Sequence, residues 1–143
     1  MARTDSGAAP ATRGIVRVKP GVEFTTIAPA GFRLLAGIEY AARMLRLELT
    51  ITSACDGAHS GPLDPHHRRE AHDIRTHGFT EVQKDAVVRS VIGACSQPGE
   101  VPPYPMTDPP RSYATTVFFG FVEAPGTPGE HIHVQVRKGR VYP

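Results

Sequence analysis

Between Gly31 and Leu47 the apolar residues Phe32, Leu34, Leu35, Ile38, Ala41, Ala42 and Leu45 return at steps of three and four, with Arg33, Glu39 and Arg43 largely between them. That is the period of an amphipathic helix with one buried stripe. The next stretch, Leu47 to Ser53, alternates Leu49 and Ile51 with threonines, the two-residue period of a strand. Asp56-Gly57 and Gly61-Pro62 then break the pattern and predict a turn-rich loop. A short second strand is expected over Ala71 to Thr76. Thr80-Glu81-Val82-Gln83 is a capping-box start for a helix reaching about Ser96, with Val87, Val91 and Ala94 as its buried stripe. Pro98 to Pro110 holds six prolines in thirteen residues, which predicts a surface loop or flap without regular structure. Tyr113 to Glu123 and His131 to Lys138 read as two strands joined by the hairpin loop Ala124-Pro125-Gly126-Thr127-Pro128-Gly129. Together these elements predict an α+β fold, a small, mainly antiparallel sheet packed with two main helices.

Composition narrows the setting. Residues 1–14 mix Gly, Ala, Pro and Thr with charges and show no period, so they are expected to form a flexible arm ahead of a single domain over 15–143. The net charge of +2 is small and the thirteen arginines form no block, which argues against nucleic acid as a partner. No segment approaches about 18 consecutive apolar residues, and the N-terminus lacks the apolar run of an export signal. The expectation is a monomer made in the cytoplasm, with no membrane insertion. Cys55 and Cys95 match no zinc-knuckle spacing and are expected to be free thiols.

The candidate chemistry lies in the histidines. All seven fall between His59 and His133, five of them from His59 to His77. His131 and His133, two apart on a strand, project to one face, and only one of them need bind a metal. His66, in the loop, and Asp73, in the following strand, are seven residues apart, a separation that a turn can fold into one coordination sphere. His66, Asp73 and His133 would then hold one zinc ion per chain at the sheet and leave one position open, the catalytic rather than the structural arrangement. A nearby carboxylate would serve as base; Glu130 is the first candidate and Glu123, at the far end of the same hairpin, its rival.

These residues resemble a family. His66-x-x-x-x-Ala71-x-Asp73 followed by Glu130-x-x-His133 is similar to the zinc D-alanyl-D-alanine carboxypeptidase superfamily, which includes D,D-dipeptidases and phage endolysins that cut L-alanyl-D-glutamate bonds. The helix ahead of Leu49-Thr50-Ile51-Thr52-Ser53 and the closing strand His133-Val134-Gln135 fit the same layout, over roughly residues 30 to 138. The resemblance implies a D,D-peptidase or Hedgehog-like fold, His66, Asp73 and His133 as zinc ligands, and Glu130 as catalytic base. It also implies peptidoglycan stem peptides as substrate, and suits an enzyme released by a holin or carried on a phage virion.

The sequence departs from that pattern in three places. Asp64 stands where the family has serine and Arg69 where it has glycine, and Ser53-Ala54-Cys55-Asp56 lacks the arginine that engages substrate in many relatives. His59, Arg68 and Arg75 are the substitutes considered for holding a substrate carboxylate, with His59 first. Asp64, His67, Glu70 and His131 are candidates to support the ligands from behind; His72 and His77 are expected to do the same or to face solvent. Asp56, Asp64 and Glu70 supply oxygens enough for a calcium ion. Two other functions fit the same residues: a zinc-bearing module that grips cell wall or virion without cutting, and a non-haem iron oxygenase, whose usual His-x-Asp spacing is absent.

Overall fold

In the computed structural model, residues 14–24, 27–54, 70–96, 104–106 and 111–137 are described. The elements are β1 Ile15–Val18, α1 Pro29–Leu45, β2 Glu48–Ser53, β3 Ala71–Arg75, α2 Glu81–Ala94, β4 Tyr104–Met106, β5 Ser112–Ala114, β6 Phe118–Glu123 and β7 His131–Val136. They form one mixed sheet in the order β1-β2-β3-β7-β6-β5-β4, in which only β1 and β2 run parallel. That parallel pair needs a crossover, and α1 supplies it. The expected α+β class and mainly antiparallel sheet with two helices are therefore present. The flexible arm expected over 1–14 lies outside the described residues except for Gly14.

Both helices pack on one face of the sheet. The core joins Leu34, Ile38, Ala41 and Ala42 of α1 and Val87, Val88, Val91 and Ile92 of α2 to Ile51, Ile74, Phe118, Ile132, Val134 and Val136, all shielded from solvent. α1 begins at Pro29, two residues before the expected start, because proline's fixed φ suits the first helical position. It ends at Arg46 in the left-handed region (φ 54°), where the Arg46 N–H donates to the Ala42 carbonyl. α2 starts with the expected capping box: the Gln83 N–H donates to Thr80 Oγ1 at 3.1 Å, and the Thr80 N–H to Gln83 Oε1 at 2.9 Å. The helices meet closely at Gly37, where a Cβ would sit 2.8 Å from Cys95 Sγ and 2.9 Å from the Val91 carbonyl oxygen. Gly37→Ala gains about 1 kcal/mol of helix propensity but must push against a backbone oxygen that cannot give; a net loss of about 2 kcal/mol is expected in urea unfolding.

Three strands depart from expectation. β1 was not anticipated; its four residues are mostly exposed and it is defined by pairing to β2 rather than by a pattern of its own. Within the proline-rich stretch expected to be irregular, Tyr104–Met106 pairs with β5, and Pro105 is tolerated because β4 is an edge strand. The single strand expected over Tyr113 to Glu123 is two, divided by a turn in which Thr115 Oγ1 accepts from the N–H groups of Val117 (3.3 Å) and Phe118 (3.0 Å). Among the described residues no helix is long and apolar enough to cross a membrane.

Candidate metal centre

Strand alternation and register build the site on the face of the sheet turned away from the helices. Asp73 pairs with His133 and Arg75 with His131 across β3 and β7, while Phe121 and Glu123 of β6 flank those histidines on the other side. The intervening Ile74, Ile132 and Val122 point to the core. A β-bulge between Ile51 and Ser53 brings Ser53 opposite Asp73. His133 is nearly buried and packs against the Phe121 ring, centroids 5.4 Å apart.

The hydrogen bonds of the two imidazoles fix which nitrogen carries a proton. Gln135 Nε2 donates to the Val136 carbonyl at 2.9 Å, so its Oε1, 2.8 Å from His133 Nε2, accepts a proton from that nitrogen. His131 Nδ1 lies 2.8 Å from the Gly129 carbonyl and must likewise be the donor. The other two ring nitrogens, His133 Nδ1 and His131 Nε2, face one carboxylate oxygen, Asp73 Oδ1, at 2.8 and 3.5 Å. Each contact sets an imidazole nitrogen against a carboxylate oxygen, an arrangement that a cation between them, a proton or a metal ion, stabilises. One possible ligand atom from each of Asp73, His131 and His133 lies within 4.8 Å of the other two. Tetrahedral zinc with bonds of about 2.0–2.1 Å separates its ligand atoms by about 3.4 Å, so the donor set suits such an ion after a small opening of the Asp73–His133 contact. Glu123 Oε1, 3.1 Å from His131 Nε2, adds an exposed carboxylate at the rim.

Asp73 and His131 line a cavity of about 710 Å³, and Glu130 lines it too. Glu130 is held by three donors. Lys84 Nζ is 2.7 Å and Thr76 Oγ1 2.8 Å from its Oε1, and the Gly126 N–H, at positive φ in the hairpin loop, is 3.0 Å from its Oε2. Lys84 foremost, then the Gly126 N–H, lowers the Glu130 carboxyl from 4.5 to about 2, with Thr76 adding to them against a smaller opposing effect of burial. Lys84, bonded to Glu130 and at 2.7 Å to Glu81, is in turn held above the ordinary lysine value.

The structure thus brings together Asp73, His133 and His131 of the residues singled out from sequence, and Glu130, held by Lys84 and Thr76, lines the same cavity as Asp73 and His131. His59, Asp64, His66, His67 and Arg68, with Asp56, lie outside the described residues. Arg75 lines the same cavity. Glu70 opens β3, its carbonyl accepting from the Val136 N–H at 3.2 Å. His77 is exposed and also lines the cavity, but His72 does neither of the things expected of it: it faces the helices, fully buried, with Nε2 2.8 Å from the Gly31 carbonyl. Sequence reasoning missed Lys84, although a signal existed, since Lys84 falls on the α2 stripe with Val87, Val88 and Val91, and a charge on a buried stripe needs a partner. Compared with known protein families, characterised proteins and solved structures, the chain matches none.

Proposed function

We propose that this chain is a zinc-dependent peptidase that hydrolyses an amide bond in peptidoglycan stem peptides. The observation that carries the reading is the convergence of His131, His133 and Asp73 beside a cavity that Glu130 also lines. The resemblance of His66 through Asp73 and of Glu130-x-x-His133 to the zinc D,D-peptidases supports His66, Asp73 and His133 as the three ligands, with one position left open, and stem peptides as substrate. When bound, zinc would polarise a carbonyl and bring the pKa of a water to about 7.

Glu130 accepts the proton at a carboxylate oxygen and passes it to the leaving amine. Lys84 and the Gly126 N–H hold that carboxyl at about 2, which makes it a weak base. Because Glu130 stays ionised down to about pH 2, it contributes no acid limb to the activity profile between pH 4 and 6.

The test compares wild type and Glu130→Gln, each with its zinc quantified, on intact peptidoglycan, with released termini identified by mass spectrometry. Wild type is expected to hold about one zinc and free one defined terminus; the variant keeps zinc and slows at least about 100-fold. A second reading is favoured by His131. Joined to Asp73, His133 and His66 it would complete four protein ligands, the closed arrangement of a structural zinc in a wall-binding or virion module. Zinc in both proteins with cleavage by neither would select that reading.

A further inference from the structure

We infer that the outer face of α1 docks a second copy of this chain, giving a symmetric dimer through the helix layer in place of the monomer expected from the sequence. Along α1, Phe32, Ala36, Tyr40 and Met44 follow one another at four-residue steps and all four are exposed, the three large residues by 58%, 50% and 63%. Such steps make one continuous ridge on the helix surface. Taking about 200 Å² for each fully exposed large side chain, the ridge presents about 340 Å² of apolar surface, within the range in which the largest patch on a small protein is often functional.

The ridge is self-complementary in size. In an antiparallel crossing about a two-fold axis between Ala36 and Tyr40, each Tyr40 covers the partner's Ala36, and each Phe32 meets the partner's Met44. Aligning two four-residue ridges sets the helices near −50°, the commonest crossing class. On the α2 side of the ridge a cavity of about 310 Å³, lined by Tyr40, Arg89, Ser90, Gly93 and Ala94, leaves room for the partner's Met44. The charges also suit a twin. Arg43 pairs with Glu39 at 3.3 Å and Arg33 donates to the Ala94 carbonyl, which leaves Arg46 at the helix end and Arg89, 6.0 Å over the Tyr113 ring, at the margin rather than a basic ring that would seat the ridge on an anionic bilayer. Two copies hide about 700 Å² through their large residues, and Ala36, Glu39 and Arg43 bring the total to about 1,200 Å², the lower end of specific interfaces. A reversible dimer is therefore expected, with a dissociation constant of about 1 to 100 μM. The cavity beside Asp73 and His131 opens on the opposite face of the sheet, so pairing through α1 leaves it clear in both copies, and one dimer can engage two points of a polymer at once.

The test is sedimentation velocity of the full chain from about 1 to about 200 μM, where a monomer–dimer equilibrium is expected. Ala36→Tyr should weaken pairing at least about tenfold and Tyr40→Glu at least about 30-fold, because a symmetric pair carries each change twice. Ala36→Tyr combined with Tyr40→Ala exchanges the large and small positions and should return the affinity to within about threefold of wild type, a recovery that loss of fold would not allow. A monomer throughout that range, or a dimer that neither Ala36→Tyr nor Tyr40→Glu weakens, overturns the pairing. So does a monomer that pellets with phosphatidylglycerol vesicles and ceases to do so in Phe32→Ser, which would assign the ridge to a bilayer. Mass is read without zinc or substrate, so the outcome is independent of the peptidase reading.

Discussion

Asp73→Ala is expected to weaken zinc binding by more than about 100-fold, measured by competition with a chromophoric chelator. Asp73 Oδ1 is the point that both imidazoles face, so on the proposed reading its loss removes a ligand and the only negative charge within the triad. His133→Ala should be as severe, because that ring is nearly buried and its orientation is fixed from two sides, by Gln135 and by Phe121. A graded series follows from the tautomer argument. Gln135→Leu leaves every ligand in place but removes the acceptor that keeps the proton on His133 Nε2, and a loss of about tenfold is expected. Zinc affinity unchanged in Asp73→Ala would remove the metal centre from these residues altogether.

Lys84→Met should be the most damaging single change to stability outside the hydrophobic core. Lys84 and Glu130 side chains are only 9% and 12% exposed, and deleting one member of such a pair strands the other charge. The stranded carboxylate keeps Thr76 and the Gly126 N–H, which trims the loss to about 2.5 kcal/mol, or roughly 8 °C in melting temperature for a chain of this size. Its dependence on pH is signed. The Glu130 carboxyl is depressed in the folded protein, so its contribution is present above about pH 5 and lost as pH falls through the folded value near 2. The gap in melting temperature between wild type and Lys84→Met should therefore narrow from pH 6 to pH 3. A gap that stays constant would place the loss in packing rather than charge.

The two helices were legible because each carries a 3.6-residue stripe, and α2 also announces its start through Thr80 and Gln83. Strands β2, β3 and β7 were legible by alternation, which also put Asp73 and His133 in reach of each other. β1 and β4 were not, because edge strands of four and three residues owe their form to a neighbour, and Pro105 disguises the second. The chain reversal at Thr115 was hidden for a different reason: Tyr113 to Glu123 is rich in β-formers throughout, and only a hydroxyl accepting two N–H bonds marks the break. In the site, residues close in sequence were found and those delivered by tertiary structure were not. Lys84 arrives from α2, and no spacing rule connects it to Glu130.

Asp73 and His133 are 60 positions apart in the chain, with α2, β4, β5 and β6 between them. A cation gripped by both would act as a removable crosslink closing that long loop, the role a disulfide fills in other small domains. By loop-closure entropy such a link restrains the unfolded chain by about 4 kcal/mol, independently of what the ion does to substrate. The protein would then refold along different routes with and without its ion, since the β3–β7 pairing at the centre of the sheet is the contact that the ion would fasten first.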